Sequence, residues 1–416
     1  MRKILIVGAG QSGLQLALSL QAEGYDVTVM SARTPDEIRG GWPTSTQMMF
    51  EPALAWERRY RLNLWEDEAP HVGGMGVSLA PAPGTRAFHF NGPWDQYAMS
   101  VDQRLKMSAW LQLFEHRGGR VIYHPVMTSD LAGLAAMYDL TLVAAGKGEL
   151  VELFDRDAAR SRYTDPARVL SAIYLQGVEF PPEYPDWFMR VNIEPGVGEL
   201  FSMPGLTMAG PTTIALIEGI PGGPLDIFRD RPSPAEHLRR LRRLLDDHFP
   251  WEGSLYARAE PTDARASLTG AFAPTIRHPV AEVAPGAYVF GMADVVVVND
   301  PISGQGSNSA AHCAGIYLQA ILERGDQPYD PVWMQQTFET FWEARAQHAT
   351  ALSTVLLEPM PEHAQQILGA ASQYPPVAKR FTDLFSYPET IHDFLLDPEK
   401  GLAFVASVAA AHTGRV

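Results

Sequence analysis

Short, fully apolar runs recur along the chain and predict its strands. The first is the Ile-Leu-Ile-Val run at residues 4–7, and such runs are typical of strands buried on both faces of a parallel sheet. Similar segments occur at residues 26–30, 120–123, 140–146 and 286–291. Because long stretches separate them, we predict one parallel, Rossmann-like sheet assembled from distant parts of the chain.

Apolar residues at helical spacing predict the helices, at residues 14–20, 105–117, 234–248 and 309–323. Gly118 and Gly119 follow the second of these and form a typical helix stop. The third carries four arginines, a pattern that favours a solvated face over a binding patch. Beyond Tyr329 the whole pattern is helical, with large apolar residues that are typical of a core.

Two stretches lack a helical period. Residues 40–92 predict long loops with a few short strands, and residues 160–280 predict short, mostly antiparallel strands between Pro and Gly turns. The fold class expected is therefore α/β: a Rossmann-like domain, an inserted β-rich domain and a helical C-terminus. We predict a discontinuous nucleotide-binding domain at 1–70, 98–160 and 282–330, a substrate domain at 71–97 and 161–281, and a helical section at 331–416.

The composition excludes several classes of protein. The 416 residues are 46% hydrophobic, which is enough for a large core and two domains. Lys and Arg number 33 against 48 Asp and Glu, which argues against nucleic-acid binding. The single cysteine, Cys313, excludes internal disulfides, indicates a reducing compartment and is expected to be a buried small residue. No apolar run approaches the roughly 18 residues of a membrane span, so we expect a cytoplasmic protein.

The segment after the first strand reads Gly-Ala-Gly-Gln-Ser-Gly and begins the first helix. A GxGxxG motif between a strand and a helix, with a second strand following, is the dinucleotide-binding fingerprint. Gly8 allows the tight turn, Gly10 lets the backbone approach a pyrophosphate, and Gly13 lets the helix pack on the strand. We expect the helix N-terminus, including Gln11 and Ser12, to bind phosphate through backbone N–H groups.

One feature of the fingerprint is missing. The acidic residue that would hold a ribose at the end of the second strand is absent, and the chain reads Met-Ser-Ala-Arg at residues 30–33. Arg33 is a candidate contact for the adenylate end of the cofactor, with an exposed loop arginine as the alternative. Asp36 or Glu37 could hold the ribose instead.

Three segments together resemble the FAD-dependent aromatic monooxygenases of the hydroxybenzoate-hydroxylase type: residues 8–13, 140–146 and 291–306. The resemblance implies a Rossmann-like FAD-binding domain of the glutathione-reductase/hydroxybenzoate-hydroxylase type. It makes Asp294 the ligand of the flavin ribityl chain, although Ala293 replaces the glycine that the family carries before it. The remaining flavin contacts that it implies are Pro301, Gly304, Gln305, Gly306, Ser307 and Asn308.

The chain is more closely similar to the styrene and indole monooxygenases, which are two-component flavoproteins. The shared segments are Val-Asp-Gln-Arg-Leu at 101–105, Ala-Gly-Lys-Gly at 145–148, Pro274 with Arg277, and Phe-Ser-Tyr-Pro-Glu at 385–389. In this family Arg104 is a candidate flavin contact, and a salt bridge at the start of a helix is the alternative.

Six pocket positions distinguish the branches of this family, and here they are Ser45, Gln47, Met49, Val72, Met75 and Ala98. Five of them match the indole branch, and Met75 is an apolar substitute. Alternation along an extended segment would place Ser45, Gln47 and Met49 on one face, as one wall of a pocket. Trp42 stands where relatives often carry an arginine, which puts a flavin contact from this position in doubt.

The resemblance implies that FADH2 from a separate NADH-dependent flavin reductase reacts with O2 to give a flavin C4a-hydroperoxide. One oxygen atom would then enter the C=C bond of indole or a styrene-like aromatic to give an epoxide, which in the case of indole leads to indoxyl and indigo. Ser45 and Gln47 are the candidate catalytic residues, binding the indole N–H or the peroxide. No protein nucleophile, metal, nucleic acid or membrane is expected, whereas a homodimer is compatible with the sequence.

Two alternatives remain at this point. One is a flavin-dependent halogenase of the same fold, although its W-x-W-x-I-P run is absent from the sequence. The other is a non-catalytic flavin-binding protein, which the pocket residues argue against.

Overall fold

A computed structural model describes residues 2–45, 47–146, 148–181, 184–185 and 187–413. The strands are β1 (Lys3–Val7), β2 (Asp26–Ser31), β3 (Val72–Leu79), β4 (Phe88–Ala98), β5 (Arg120–Tyr123), β6 (Leu140–Val143), β7 (Val169–Gln176), β8 (Met189–Glu194), β9 (Gly198–Thr207), β10 (Gly210–Gly219), β11 (Glu260–Pro261), β12 (Ser267–Gly270), β13 (Thr275–Ile276), β14 (Val280–Ala284), β15 (Ala287–Gly291) and β16 (Val297–Val298).

The helices alternate with the first strands and then dominate the C-terminal part. They are α1 (Gln11–Ala22), α2 (Pro35–Arg39), α3 (Glu51–Arg59), α4 (Gln103–His116), α5 (Thr128–Ala135), α6 (Pro234–His248), α7 (Pro250–Gly253), α8 (Gln305–Arg324), α9 (Pro331–Phe341), α10 (Gln347–Leu357), α11 (Glu362–Ala371), α12 (Pro375–Asp383) and α13 (Pro398–Thr413). Among the described residues, no helix is both long enough and apolar enough to span a lipid bilayer.

The first sheet confirms the predicted Rossmann-like fold. Its six strands lie in the order β14-β15-β6-β1-β2-β5, with β1 parallel to both β2 and β6. Only β14, at one edge, runs antiparallel to its neighbour. Ile4, Leu5 and Ile6 are fully buried, as the continuous apolar run predicts for a strand covered on both faces.

The second sheet is mostly antiparallel and follows the order β11-β7-β10-β9-β8-β3-β4, with β12 beside β7. Its two edge-side strands, β3 and β4, come from the stretch before α4, and β3 runs parallel to β8. The basic helix α6 packs its leucines on this sheet. Its Arg239 and Arg240 are paired with acidic neighbours, in agreement with a solvated face. The domain boundaries stay a prediction.

Two expectations from the sequence are wrong. Helix α3 occupies part of the stretch, residues 40–92, that was expected to form loops and short strands. It is hard to recognise because its buried face consists of only Ala53, Leu54 and the acidic Glu57. Helix α8 begins at Gln305 rather than Ser309. Gly304 takes the left-handed conformation, with φ 64°, and ends the preceding 3₁₀ turn, so the helix starts directly after it.

The C-terminal helices cover one face of the second sheet. Helix α12 packs on β4, where the Trp94 indole N–H donates to the carbonyl oxygen of Thr382 at 2.9 Å. The Phe90 and Phe381 rings meet edge to face at 5.9 Å. The C-terminal helical section therefore shares a hydrophobic core with the β-rich sheet.

Candidate active site

The three glycines of the fingerprint occupy three different environments at the end of β1. A Cβ on Gly8, where φ is +121°, would lie 2.7 Å from the carbonyl carbon of Ala144. A Cβ on Gly13 would lie 2.2 Å from the Gly8 oxygen, so glycine is needed for the helix to pack on the strand. A Cβ on Gly10 would meet no described atom within 4 Å. The start of α1 is therefore open toward a ligand.

A cavity of about 200 Å³ lies over this turn. Its lining joins residues that are far apart in sequence: Gly8, Gly10, Arg33, Trp42, Thr44, Arg104 and Ala145. The first turn of α1, Gln-Ser-Gly-Leu, carries no charge, so its N–H groups and its positive dipole end face this space uncompensated. These features are those of an anion site. The carboxylate of Glu37 is occupied elsewhere, in the capping box of α2 with Thr34.

Gln11 is held from behind the helix. Its side-chain amide donates to Glu57 of α3 at 3.0 Å, and the buried Lys106 of α4 pairs with the same carboxylate. The side chain of Gln11 is therefore engaged within the protein. This buried group was not found from the sequence, because its members come from three helices and no motif joins them.

Arg104 forms salt bridges at the start of α4, which is one of the two roles that the sequence left open for this residue. Its guanidinium lies 2.7 Å from Asp102, the N-cap of α4, and 3.0 Å from Asp263. Partial burial raises the pKa of Asp263, but the hydrogen bonds from Arg104 and from the N–H of Arg265, together with the charge of Arg104, outweigh this effect and lower the pKa below its ordinary value. Because Arg104 also lines the cavity, it fixes the wall there, and a direct flavin contact stays a prediction.

Asn308 joins the start of α8 to the segment that carries the predicted pocket residues. Its Oδ1 accepts from the N–H of Phe50 at 2.8 Å, and its Nδ2 donates to the carbonyl oxygens of Met48, at 2.7 Å, and Gly304, at 2.8 Å. Gln305 donates to the carbonyl oxygen of Phe385 at 2.8 Å. Both side chains are thus occupied by protein, so their contact with the cofactor, which stays a prediction, would be made through the backbone.

The first turn of α8 is a second open helix N-terminus. It reads Gln-Gly-Ser-Asn and carries no charge, and a Cβ on Gly306 would meet no described atom within 4 Å. Ser307, in the same turn, is buried. Pro301 begins the 3₁₀ turn that leads into this helix. The arrangement repeats that of α1, so two helices present free N–H groups.

Asp294, which the family resemblance makes a flavin ligand, lies next to the glycine turn that follows β6. A Cβ on Gly146 would lie 2.5 Å from the Asp294 Cβ, so the two backbone segments meet. Ala293 has a φ of 51°, a conformation that favours glycine, which accounts for the glycine carried there by the family. Its N–H donates to the Sγ of the buried Cys313 at 3.4 Å. Lys147, in the neighbouring motif, lies outside the described residues.

The four apolar residues among the six predicted pocket residues fall into two packing groups. Val72, Met75 and Ala98 pack together with Met48 and Phe50. The other group contains Met49, which packs with Met99 and Val101. Neighbouring side chains alternate along the extended segment, and the structure turns Met48 and Phe50, not Met49, toward β3 and β4.

Gln47 is almost completely buried, with 4% of its surface exposed. Its amide Nε2 donates to the carbonyl oxygen of Val101, and this bond sets the orientation of the amide. No donor among the described residues reaches its Oε1. A buried acceptor without a donor is unfavourable by about 1–3 kcal/mol, so this atom is a candidate acceptor for a ligand N–H or O–H. The Ser45 carbonyl oxygen is held at 2.5 Å by the Tyr174 hydroxyl.

An aromatic group beside the α8 turn was missed in the sequence. Phe50 contacts the Trp94 ring edge to face at 5.4 Å and the Phe385 ring at 6.4 Å. A Cβ on Gly304 would lie 3.7 Å from Phe50. The signal was present in β4, whose Phe88, Phe90 and Trp94 follow the alternation of a half-buried strand.

Comparison with known proteins agrees with this arrangement. Residues 146–254 match the family described as "Styrene monooxygenase A putative substrate binding domain". Styrene monooxygenase StyA of Pseudomonas fluorescens is 30% identical over 411 residues, which cover 96% of this chain and 96% of that protein. Styrene monooxygenase StyA of a Pseudomonas sp is 30% identical over 415 residues, with 96% of each chain covered.

Among solved structures, the flavin-dependent brominase Bmp2 superposes with a TM-score of 0.59 and 13% identity, covering 100% of both chains. At this identity the likeness shows the fold alone. It places the two sheets and the helical C-terminal section in a known architecture of flavin-dependent enzymes.

Proposed function

Since this chain belongs to the styrene monooxygenase family, we propose that it is a two-component, FAD-dependent monooxygenase that prefers indole to styrene. The reaction adds one oxygen atom of O2 across a C=C bond, with FADH2 as the reductant. FADH2 thereby becomes FAD, and the second oxygen atom leaves as water. A separate NADH-dependent flavin reductase would supply the FADH2, a proposal supported by the presence of one dinucleotide fingerprint.

The residues present fit FAD. Two uncharged helix N-termini, at α1 and α8, suit the pyrophosphate and the flavin, and the cavity over Gly10 is open where the backbone must approach a phosphate. Gly8, Gly10 and Arg33 would hold the adenylate and pyrophosphate end, and Asp294 the ribityl chain. When bound, FAD supplies the activation of O2, and the protein supplies binding, orientation and exclusion of water.

The observation that supports indole is the unsatisfied oxygen of Gln47. Indole carries one N–H donor, whereas styrene carries none. Because Nε2 donates to the Val101 carbonyl oxygen, the orientation of the amide is fixed and its Oε1 is left as an acceptor, which matches an indole N–H. A site built to pair with a substrate N–H discriminates against an analogue that lacks it, because the acceptor is then left buried and unpaired.

The apolar side chains that pack around Phe50 have a simpler task. Phe50, Val72, Met75 and Ala98 are all buried and present no polar atom. Such a lining suits a flat aromatic substrate and keeps water from the reacting centre.

Aerobic turnover tests this function. The chain is combined with a flavin reductase, FAD, NADH and either indole or styrene, and products are identified by mass and chromatography. We expect indigo from indole and the epoxide from styrene, with the higher kcat/KM for indole. The proposal fails if neither substrate is oxygenated, or if the chain with FAD alone oxidises NADH rapidly.

A further inference from the structure

Two carboxyl groups lie in contact behind the turn that leads into α8. Asp300 precedes this turn, and its Oδ1 accepts from the N–H of Ile302 at 3.1 Å. Glu218, at the end of β10, is hydrogen bonded to the Asp300 side chain. The exposed fractions of Glu218 and Asp300 are 0% and 1%. The end of the β-rich sheet thus meets the turn through two acids.

The charged groups around this pair do not neutralise it. Glu199 lies directly across from Glu218 in the neighbouring strand β9. Arg168, before β7, is bound at 2.9 Å and 3.0 Å by the two oxygens of Glu199. No donor among the described residues reaches either oxygen of Glu218. Tyr163, the remaining titratable group near Asp300, donates its hydroxyl to Glu358 at 3.4 Å.

A shared proton explains this geometry. Carboxylates are acceptors only, so two carboxyl groups can be hydrogen bonded to each other only if one of them is protonated. Two buried carboxylates in contact cannot both ionise without a cation between them. Burial is the larger cause and the nearby Asp300 the second, and both raise the pKa of Glu218 well above its ordinary value. This agrees with a protonated Glu218.

We propose that Glu218 is a positioning residue that, as the protonated acid, donates to Asp300 and thereby holds the Pro301–Ser303 turn in place for cofactor binding. Asp300 keeps its charge and caps this turn through Ile302, while the turn continues directly into Gly304 and α8. This inference rests on the proposed function, because only then is the turn part of a flavin site. The shared proton itself does not depend on it.

The first test measures unfolding of the FAD-free chain between pH 5 and 8. A carboxyl whose pKa is raised on folding binds more protons in the folded state, so stability falls as pH rises from the unfolded pKa toward the folded one. The unfolding constant of the wild type relative to Glu218→Gln should therefore rise with pH in this window, by at most about tenfold per pH unit because one proton is released. The matched control, Glu339→Gln, removes a carboxylate that pairs with Arg160 and should show no such slope.

The second test measures the dissociation constant of oxidised FAD at pH 7. Glu218→Gln keeps a donor for Asp300 and should bind within about twofold of the wild type, whereas Glu218→Leu should bind at least tenfold more weakly. The inference is overturned if the wild type and Glu218→Gln show the same pH profile of unfolding, or if folded Glu218→Gln loses FAD. A wild type that binds no FAD at all would instead refute the proposed function, and the unfolding test would still stand.

Discussion

Asn308 and Met48, which are 260 residues apart, are joined by a hydrogen bond of 2.7 Å from the side-chain amide to the carbonyl oxygen. The same side chain also accepts from the N–H of Phe50 and donates to the carbonyl oxygen of Gly304. One side chain thus ties the predicted pocket segment to the α8 turn, so pocket shape and cofactor position depend on each other.

Replacing Asn308 should disturb both sites. Asn308→Ala leaves three backbone groups of this buried region without partners, and we expect a loss of about 2–4 kcal/mol in the free energy of unfolding. Asn308→Asp keeps the acceptor for Phe50 but places an acceptor oxygen against the carbonyl oxygens of Met48 and Gly304, and should cost at least as much as Asn308→Ala. Denaturant unfolding measures stability, and FAD and indole affinities should weaken in the same order. Unchanged affinities for both ligands in folded Asn308→Ala would contradict this link.

Substitutions of Gly13 in α1 and of Gly306 in α8 should separate folding from cofactor binding. Gly13→Ala places a methyl group against the Gly8 oxygen and should destabilise the fold strongly. Gly306→Ala, in an open helical position, should stabilise the FAD-free chain by about 0.5–1 kcal/mol, because alanine favours helix. It should nevertheless weaken FAD binding by at least tenfold, since the methyl group occupies the space at the helix N-terminus. Thermal unfolding and FAD titration of both variants check this, and tight FAD binding by Gly306→Ala would refute it.

The Arg104 bridge predicts a stability effect with a defined pH dependence. Arg104→Met leaves the buried Asp102 without its partner and should cost about 3–5 kcal/mol. Asp263→Asn should cost less, because Asp263 is partly exposed. As the pKa of Asp263 is lowered, its contribution is complete above the ordinary value of 3.8 and is lost as pH falls below it. The difference in unfolding free energy between wild type and Asp263→Asn should thus stay constant from pH 7 to 5 and shrink in more acidic solution. A difference that already shrinks by pH 6 would contradict the lowered pKa of Asp263.

Cys313 should be unreactive in the folded protein. Burial raises the pKa of its thiol to about 12, so it is neither accessible nor ionised at pH 8. With a thiol-specific chromogenic disulfide we expect no fast reaction of the native chain and one equivalent after denaturation. Rapid labelling of the native chain would show that the α8 helix opens where it packs on Ala293.

The sequence predicted the parallel sheet and its glycine turn because a continuous apolar run and GxGxxG act over a few neighbouring residues. It could not predict which side of the pocket segment faces β3. Alternation shows that Gln47 and Met49 differ in direction from Met48 and Phe50, but the choice of face is made by Asn308, far along the chain. The contact between Glu218 and Asp300 could not be predicted from the sequence either, because it forms only when the end of β10 meets the turn before α8.

The most direct test of the central claim compares indole with benzofuran, which has a similar shape but an oxygen in place of the N–H. We predict that the wild type prefers indole in kcat/KM by about 10- to 100-fold, equivalent to one buried hydrogen bond. Gln47→Met should reduce that preference to within about threefold while the rate with styrene changes little. An unchanged preference in Gln47→Met, or a wild type that does not distinguish the two substrates, would contradict the account.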